Sequence, residues 1–125
     1  MNSSEDDVLR FIAASFPSVW ALEMLLALKS ERRDWSREEL VASLRASELV
    51  VTKTLEALVA AGLATIDGKG AAYAPVNQDV DSAVDQAEQL YRSRPNKVRR
   101  VIVAASMSSA SAFADAFKIR RGADD

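Results

Sequence analysis

Histidine and cysteine are both absent from this 125-residue chain. Proton transfer, nucleophilic attack or metal binding would therefore fall to carboxylates, lysines or tyrosines. The imidazole that is the commonest general base and metal ligand is missing, and so is any thiolate or disulfide. The carboxylates offer one cluster, Asp79, Asp81 and Asp85. Its spacing lacks the glycine and the distal glutamate of a calcium loop, and acids at the start of a helix are accounted for by the helix dipole. Gly68-Lys69-Gly70 sets a lysine between two glycines. It matches neither Gly-rich signature of a phosphate-cradling loop, so both glycines are assigned to the turn itself. No pairing of a base with a nucleophile exists. The residue types predict a binding protein rather than an enzyme, with no cofactor and no metal.

The side chains suited to binding are the cations, and their distribution is uneven. The chain carries 16 Lys+Arg and 18 Asp+Glu for a net charge of −2. Residues 1–85 hold 14 acids and 8 bases, whereas residues 86–121 hold 2 acids and 8 bases. An acidic front, at −6, is followed by a basic back, at +6. Arg92, Arg94, Lys97, Arg99 and Arg100 are the core of that basic segment. No apolar run approaches the ~18 residues of a membrane helix. The longest stretch, Val19 to Leu28, is interrupted at Glu23, and the first residues are acidic, unlike a signal or transit peptide. The expectation is a soluble, cytoplasmic protein with no membrane partner.

Few glycines (4) and prolines (3) point to a mainly helical chain. Ser4 to Ser15 reads as a short helix capped by Ser4, and Pro17 is placed to open the next. Val19 to Ser30 is apolar nearly all round, as expected of a central helix, with Trp20 and Trp35 as core anchors. Ser36 and Glu39 form an S-x-x-E capping box before the stripe Leu40, Val41 and Leu44. Ser47 starts another helix, whose stripe is Val51, Leu55, Leu58 and Val59 and which closes at Gly62. Leu63 to Ile66, a turn at 67–70, and Ala71 to Ala74 read as a β-hairpin ended by Pro75. Asn77 to Ser93 is a further helix, with Val80, Val84, Ala87 and Tyr91 inward. Pro95 opens one more, in which Val98, Val101, Ile102 and Ala105 keep helical spacing. Ser106 to Ser111 reads as a polar hinge. Ala110, Phe113, Ala114 and Phe117 then outline a short amphipathic helix.

Helix, short helix, tight turn, helix and hairpin is the order of a winged helix-turn-helix. Ser47-x-x-x-Val51-x-x-x-Leu55-x-x-Leu58-x-x-x-Gly62-Leu63 followed by a hairpin resembles the recognition helix and wing of bacterial winged-helix regulators of the MarR and PadR kind. The resemblance covers about residues 17–76. It implies a mainly α fold with a small hairpin wing, a recognition helix at about 47–61 entering the major groove of double-stranded DNA, and a wing at about 63–74. Carried over residue by residue, it makes Thr52 and Lys53 base or phosphate contacts beside the cap Ser47. It sets Arg37 and Arg45 on the supporting helix against the backbone, and Lys69 at the wing tip. The pattern departs from the family in charge. Residues 36–74 hold four bases and five acids, and the wing has no arginine, where phosphate neutralisation favours clustered cations.

The expected organisation is an N-terminal helix at 1–15, a winged helix-turn-helix at 16–76, a helical extension at 77–121 and a frayed tail at 122–125. The extension is assigned to dimerisation or another interaction. Arg99 and Arg100 are its candidate partner contacts, to flanking DNA, to an acidic partner such as the transcription machinery, or to the acidic front of a second copy. Phe113 and Phe117 are its candidate homodimer contacts, with folding back onto the domain as the alternative. The leading expectation is a non-enzymatic DNA-binding transcriptional regulator. The alternative is a winged-helix adaptor that docks on the transcription machinery or another regulator.

Overall fold

Ser4 accepts a hydrogen bond from the Asp7 N–H at 3.2 Å and starts helix α1 (Glu5–Ser15) in the computed structural model, which describes residues 4–107. Glu5, Asp6 and Asp7 fill its first turn, where the helix dipole favours acids, and Val8 and Ile12 face inward. The next helix, α2 (Val19–Ser30), is opened by Ser18, whose hydroxyl accepts from the Ala21 N–H at 3.2 Å. Pro17 therefore lies one residue before the cap rather than inside the first turn. It turns the chain, so that α1 and α2 meet at 101°.

α2 is the central helix. Leu22, Met24, Leu25 and Leu28 are fully buried, with α3, α4 and β2 packed around them. Trp20 departs from its expected core position and is 41% exposed. It shares a helical stripe with Glu23, whose carboxylate accepts from the Tyr91 hydroxyl at 2.7 Å. That stripe meets a polar neighbour at Glu23.

α3 (Arg37–Leu44) begins with the full capping box: Ser36 accepts from the Glu39 N–H, and the Glu39 carboxylate accepts from the Ser36 N–H. Leu40 is buried, and Val41 and Leu44 are half-buried against the core. The helix stops because Arg45 takes a left-handed conformation (φ 52°). Two residues later Ser47 caps α4 (Glu48–Ala60), accepting from the Val50 N–H at 3.1 Å. The buried stripe of α4 is Val51, Thr54, Leu55 and Leu58, and Val59 is exposed. An i, i+3, i+4, i+7 stripe starting at Val51 passes through Thr54 and misses Val59. A threonine methyl fills a place where an apolar residue was expected.

Gly62 (φ 76°) ends this helical run and leads into the antiparallel hairpin β1 (Ala64–Asp67) and β2 (Gly70–Tyr73), paired from Ala64 with Tyr73 to Asp67 with Gly70. Trp35 adds a single bridge to Ala71 on the far side of β2. Asn77 caps α5 (Gln78–Ser93), which lies along α1. Pro95 then starts α6, which covers residues 95–107. Val84, Ala87, Val98 and Ile102 from these two helices join one buried cluster with α1, α2, α4 and the hairpin. Ser106 and Met107 remain helical, so the polar hinge expected from Ser106 does not begin there. Its remainder, with Phe113 and Phe117, lies outside the described residues.

The structure is mainly helical with a small two-stranded hairpin. Among the described residues no single helix is long and apolar enough to cross a membrane, and no group of three acids could hold a metal ion.

Candidate nucleic-acid interface

The surface of interest is built by α3, α4 and the hairpin. Capping by Ser36 and Ser47, each a serine hydroxyl three residues from the N–H it serves, sets where both helices begin. Arg45 in the left-handed region makes the turn between them. The hairpin is held in place by Trp35, whose indole N–H donates to the Glu31 carbonyl at 3.1 Å. The Arg33 guanidinium stacks 4.0 Å from its ring centroid. At the hairpin tip the Asp67 carboxylate accepts from the Lys69 N–H at 2.7 Å.

A cleft of about 320 Å³ opens between α4 and the hairpin. Arg37, Thr52 and Lys69, from three separate elements, all line it, above a floor that includes Trp35 and Leu55. Glu56 and Asp67 also line it, and Ile66 is 50% exposed beside them. Arg45 and Lys53 do not line the cleft. Arg45 sits at the α3–α4 turn, and Lys53 is exposed on α4. Ser47 is exposed, with its oxygen engaged by the cap.

The charges of this surface even out once ion pairs are set aside, leaving Glu38, Glu56 and Asp67 beside three cations outside any ion pair among the described residues. Glu39 is engaged by Arg33 at 2.9 Å and by the Ser36 N–H. Those partners hold its carboxyl down at about 2, with the Arg33 hydrogen bond the larger cause. Glu48 faces Arg37 at 4.0 Å. Arg45, Lys53 and Lys69 make no ion pair among the described residues, whereas most other cations are taken.

The basic segment illustrates the contrast. Arg94 and Lys97 reach Glu5 at 3.3 and 3.0 Å, and Arg92 reaches Glu88 at 3.0 Å. Lys29 lies 2.9 Å from both Asp85 and Glu88, which hold its ammonium pKa up. The acidic front and the basic back thus meet within one chain. Arg99 lies over the Tyr91 ring at 5.6 Å and donates to its hydroxyl at 3.3 Å. Arg100 is exposed. Of the acids at the start of α5, Asp81 accepts from the Tyr73 hydroxyl at 2.6 Å and Asp85 meets Lys29. Two of the three therefore tie α5 to the rest of the fold.

Leu49, which the spacing sets off the buried stripe in the first turn of α4, is 63% exposed. Two site features escaped the sequence reading. The Trp35–Ala71 bridge involves a single residue, too short for a period-two pattern. The aromatic-cation stack of Arg33 on Trp35 had a signal in the run Arg32-Arg33-Asp34-Trp35, since arginine beside tryptophan favours stacking. Comparison with protein-family models, with curated proteins and with solved structures returned no match.

Proposed function

We propose that α3, α4 and the hairpin form a winged helix-turn-helix that binds double-stranded DNA, and that the protein regulates transcription without catalysis. In this reading α4 enters the major groove by its first turns and the hairpin is the wing. The observation that carries it is the cleft that gathers Arg37, Thr52 and Lys69 from positions far apart in sequence. Cations and hydroxyls are side chains that contact phosphate oxygens, and here they come from the helices and from the hairpin. The order of elements supports the same reading. A bridge residue, Trp35, precedes α3, two helices follow across a tight turn, and the hairpin pairs back onto that bridge.

With few cations, a single copy binds weakly and with a shallow salt dependence. The test is retardation of duplex DNA, first the region upstream of the protein's own coding sequence and then a random pool. Binding at about 50 mM salt that falls as salt rises supports the reading, and no retardation at that salt overturns it.

A second reading, an adaptor that docks on another protein, is favoured by Leu49. A leucine 63% exposed on the leading turn of α4, next to Glu48, suits an apolar protein contact better than a phosphate. Leu49→Ala separates the two. Loss of a pulled-down protein partner with DNA retardation unchanged belongs to the adaptor.

A further inference from the structure

A second opening, of about 330 Å³, lies between α3 and α4 and shares no residue with the cleft beside the hairpin. Glu38, Val41 and Ala42 of α3 and Glu48 of α4 line it. Val41 and Ala42 contribute aliphatic surface, and each helix contributes one carboxylate. Arg33 takes Glu39 at 2.9 Å and leaves its neighbour Glu38 with no ion pair among the described residues. Glu48 has only Arg37, at 4.0 Å. Both glutamates stand in the first turn of a helix, where the dipole favours an acid. The dipole calls neither for aliphatic surface between them nor for Leu49 and Val50, which are exposed in the same first turn of α4.

The volume is at the small end of ligand sites, so the pocket admits one long side chain rather than a large molecule. Aliphatic surface set between two carboxylates matches the two parts of a lysine or arginine. The methylene stem packs, and the charged head reaches the carboxylates. Arginine suits the pair best, because its planar fork donates to more than one oxygen at a time. A phosphate is repelled here, since two carboxylates face the space and Arg37 is already turned to one of them. Leu49 lies about 100° round α4 from Glu48 and offers apolar surface to a residue beside that cation. Charge complementarity therefore selects a basic protein segment over nucleic acid.

We propose that this pocket docks a partner protein through an arginine or lysine flanked by an aliphatic residue. The cation sits between Glu38 and Glu48, and the aliphatic side chain rests on Leu49. The proposal deepens the adaptor reading, on which it rests, by naming the chemistry of the partner. The pocket and a DNA groove both require the first turn of α4, so a chain that holds this partner is withheld from DNA.

The probe is a short fluorescein-labelled peptide alternating arginine with leucine, and its controls alternate arginine with serine and glutamate with leucine. Anisotropy is read with the full chain at about 150 mM salt, where loose charge attraction is screened. Saturable binding of the arginine–leucine peptide is expected, about tenfold weaker for arginine–serine and absent for glutamate–leucine. Glu38→Lys with Glu48→Lys is expected to weaken binding about tenfold or more. Ala42→Arg, which sets a cation one turn from Glu38 on α3, is expected to fill the pocket from within and weaken it by a similar factor. These positions are exposed, so the helical circular dichroism is retained. Asp6→Lys with Asp79→Lys, exposed acids in the first turns of α1 and α5, is expected to leave binding unchanged. No binding of the arginine–leucine peptide overturns the proposal, and gives the pocket to a second copy if the Glu38 and Glu48 reversal lowers the mass in solution. Binding that survives both pocket variants, or that falls equally with Asp6 and Asp79, overturns it too. If the peptide fails while Leu49→Ala still costs a pulled-down partner, the adaptor reading stands and the pocket assignment alone is lost.

Discussion

Trp35 and Ala71 exchange two backbone hydrogen bonds, the Trp35 N–H to the Ala71 carbonyl at 2.7 Å and the Ala71 N–H to the Trp35 carbonyl at 2.8 Å. Through this one residue the hairpin is fastened to the loop that precedes α3, and the cleft walls keep their spacing. The approach is close enough that a Cβ built on Gly70 would lie 2.3 Å from the Trp35 carbonyl oxygen, and Gly70 has φ 132°. Gly68, the other glycine of the turn, has no atom within 4 Å of such a Cβ and no positive φ. Only one of the two glycines expected to serve the turn is required by it.

Gly70→Ala is therefore expected to destabilise the fold by about 1–3 kcal/mol or more, since it adds a backbone clash to a strained φ. Gly68→Ala should stay within about 0.5 kcal/mol of wild type, as an exposed site with open space. Urea unfolding of the two variants measures the difference, and equal midpoints would remove the bridge from the account of the hairpin's position.

Lys69 and Lys53 are exposed and without ion pairs among the described residues, so their removal should leave stability unchanged. Each substitution to alanine is expected to weaken DNA binding and, where the lysine meets phosphate, to lower the slope of log affinity against log salt by about 1 for all sequences alike. Fluorescence anisotropy over a salt series with two unrelated duplexes reads this out. A lysine that instead meets a base edge would relax selectivity at one position and leave other sequences unaffected.

Glu39 carries the acid sensitivity of α3. Its carboxyl is lowered from 4.5 to about 2 by Arg33 and the Ser36 N–H. A depressed pKa means that the ionised form is favoured in the folded state, so the stabilisation is present above the unfolded value and is lost as pH falls from about 4.5 toward 2. Glu5, lowered by its hydrogen bond to Lys97, acts in the same direction. Thermal midpoints measured from neutral pH down to about pH 3 should fall less steeply for Glu39→Gln than for wild type.

Tyr73 sets an alkaline counterpart. Burial, and then the hydrogen bond to Asp81, push its hydroxyl pKa well above the usual tyrosine value of 10.0. The folded chain holds this proton after the unfolded chain has released it, so stability is complete below about pH 10 and declines as pH rises above it. Tyr73→Phe is expected to lower stability at neutral pH, because Asp81 loses its 2.6 Å donor, and to flatten the alkaline decline. Tyr91, also raised by burial and Glu23, and Lys29, raised by Glu88 and Asp85, contribute to the decline that remains.

Local signals in the chain were enough to locate nearly every helix start. Ser4, Ser36, Ser47 and Asn77 each sit where a side-chain oxygen meets an N–H three residues on. Gly62 sits where the chain must turn left-handed. These are contacts within one turn, so residue types at fixed spacing specify them without help from the rest of the molecule. The hairpin was legible for the same reason, its two strands lying either side of one short turn.

Contacts between distant segments were decided by the tertiary structure alone. Trp20 reads as core by composition, yet it is exposed because its stripe on α2 meets Tyr91. The basic segment reads as a surface for DNA, an acidic partner or a second copy, yet Arg94 and Lys97 close on Glu5 of the same chain, where α5 lies along α1. Arg37, Thr52 and Lys69 share a cleft only because Trp35 holds the hairpin beside α4. Composition and periodicity determine which face of an element is apolar and where the element begins, since both are local properties. Which charges are neutralised, and which cations stay available, depends on pairings across 50 to 90 residues, such as Lys29 with Glu88 and Glu5 with Arg94, and only packing brings those together.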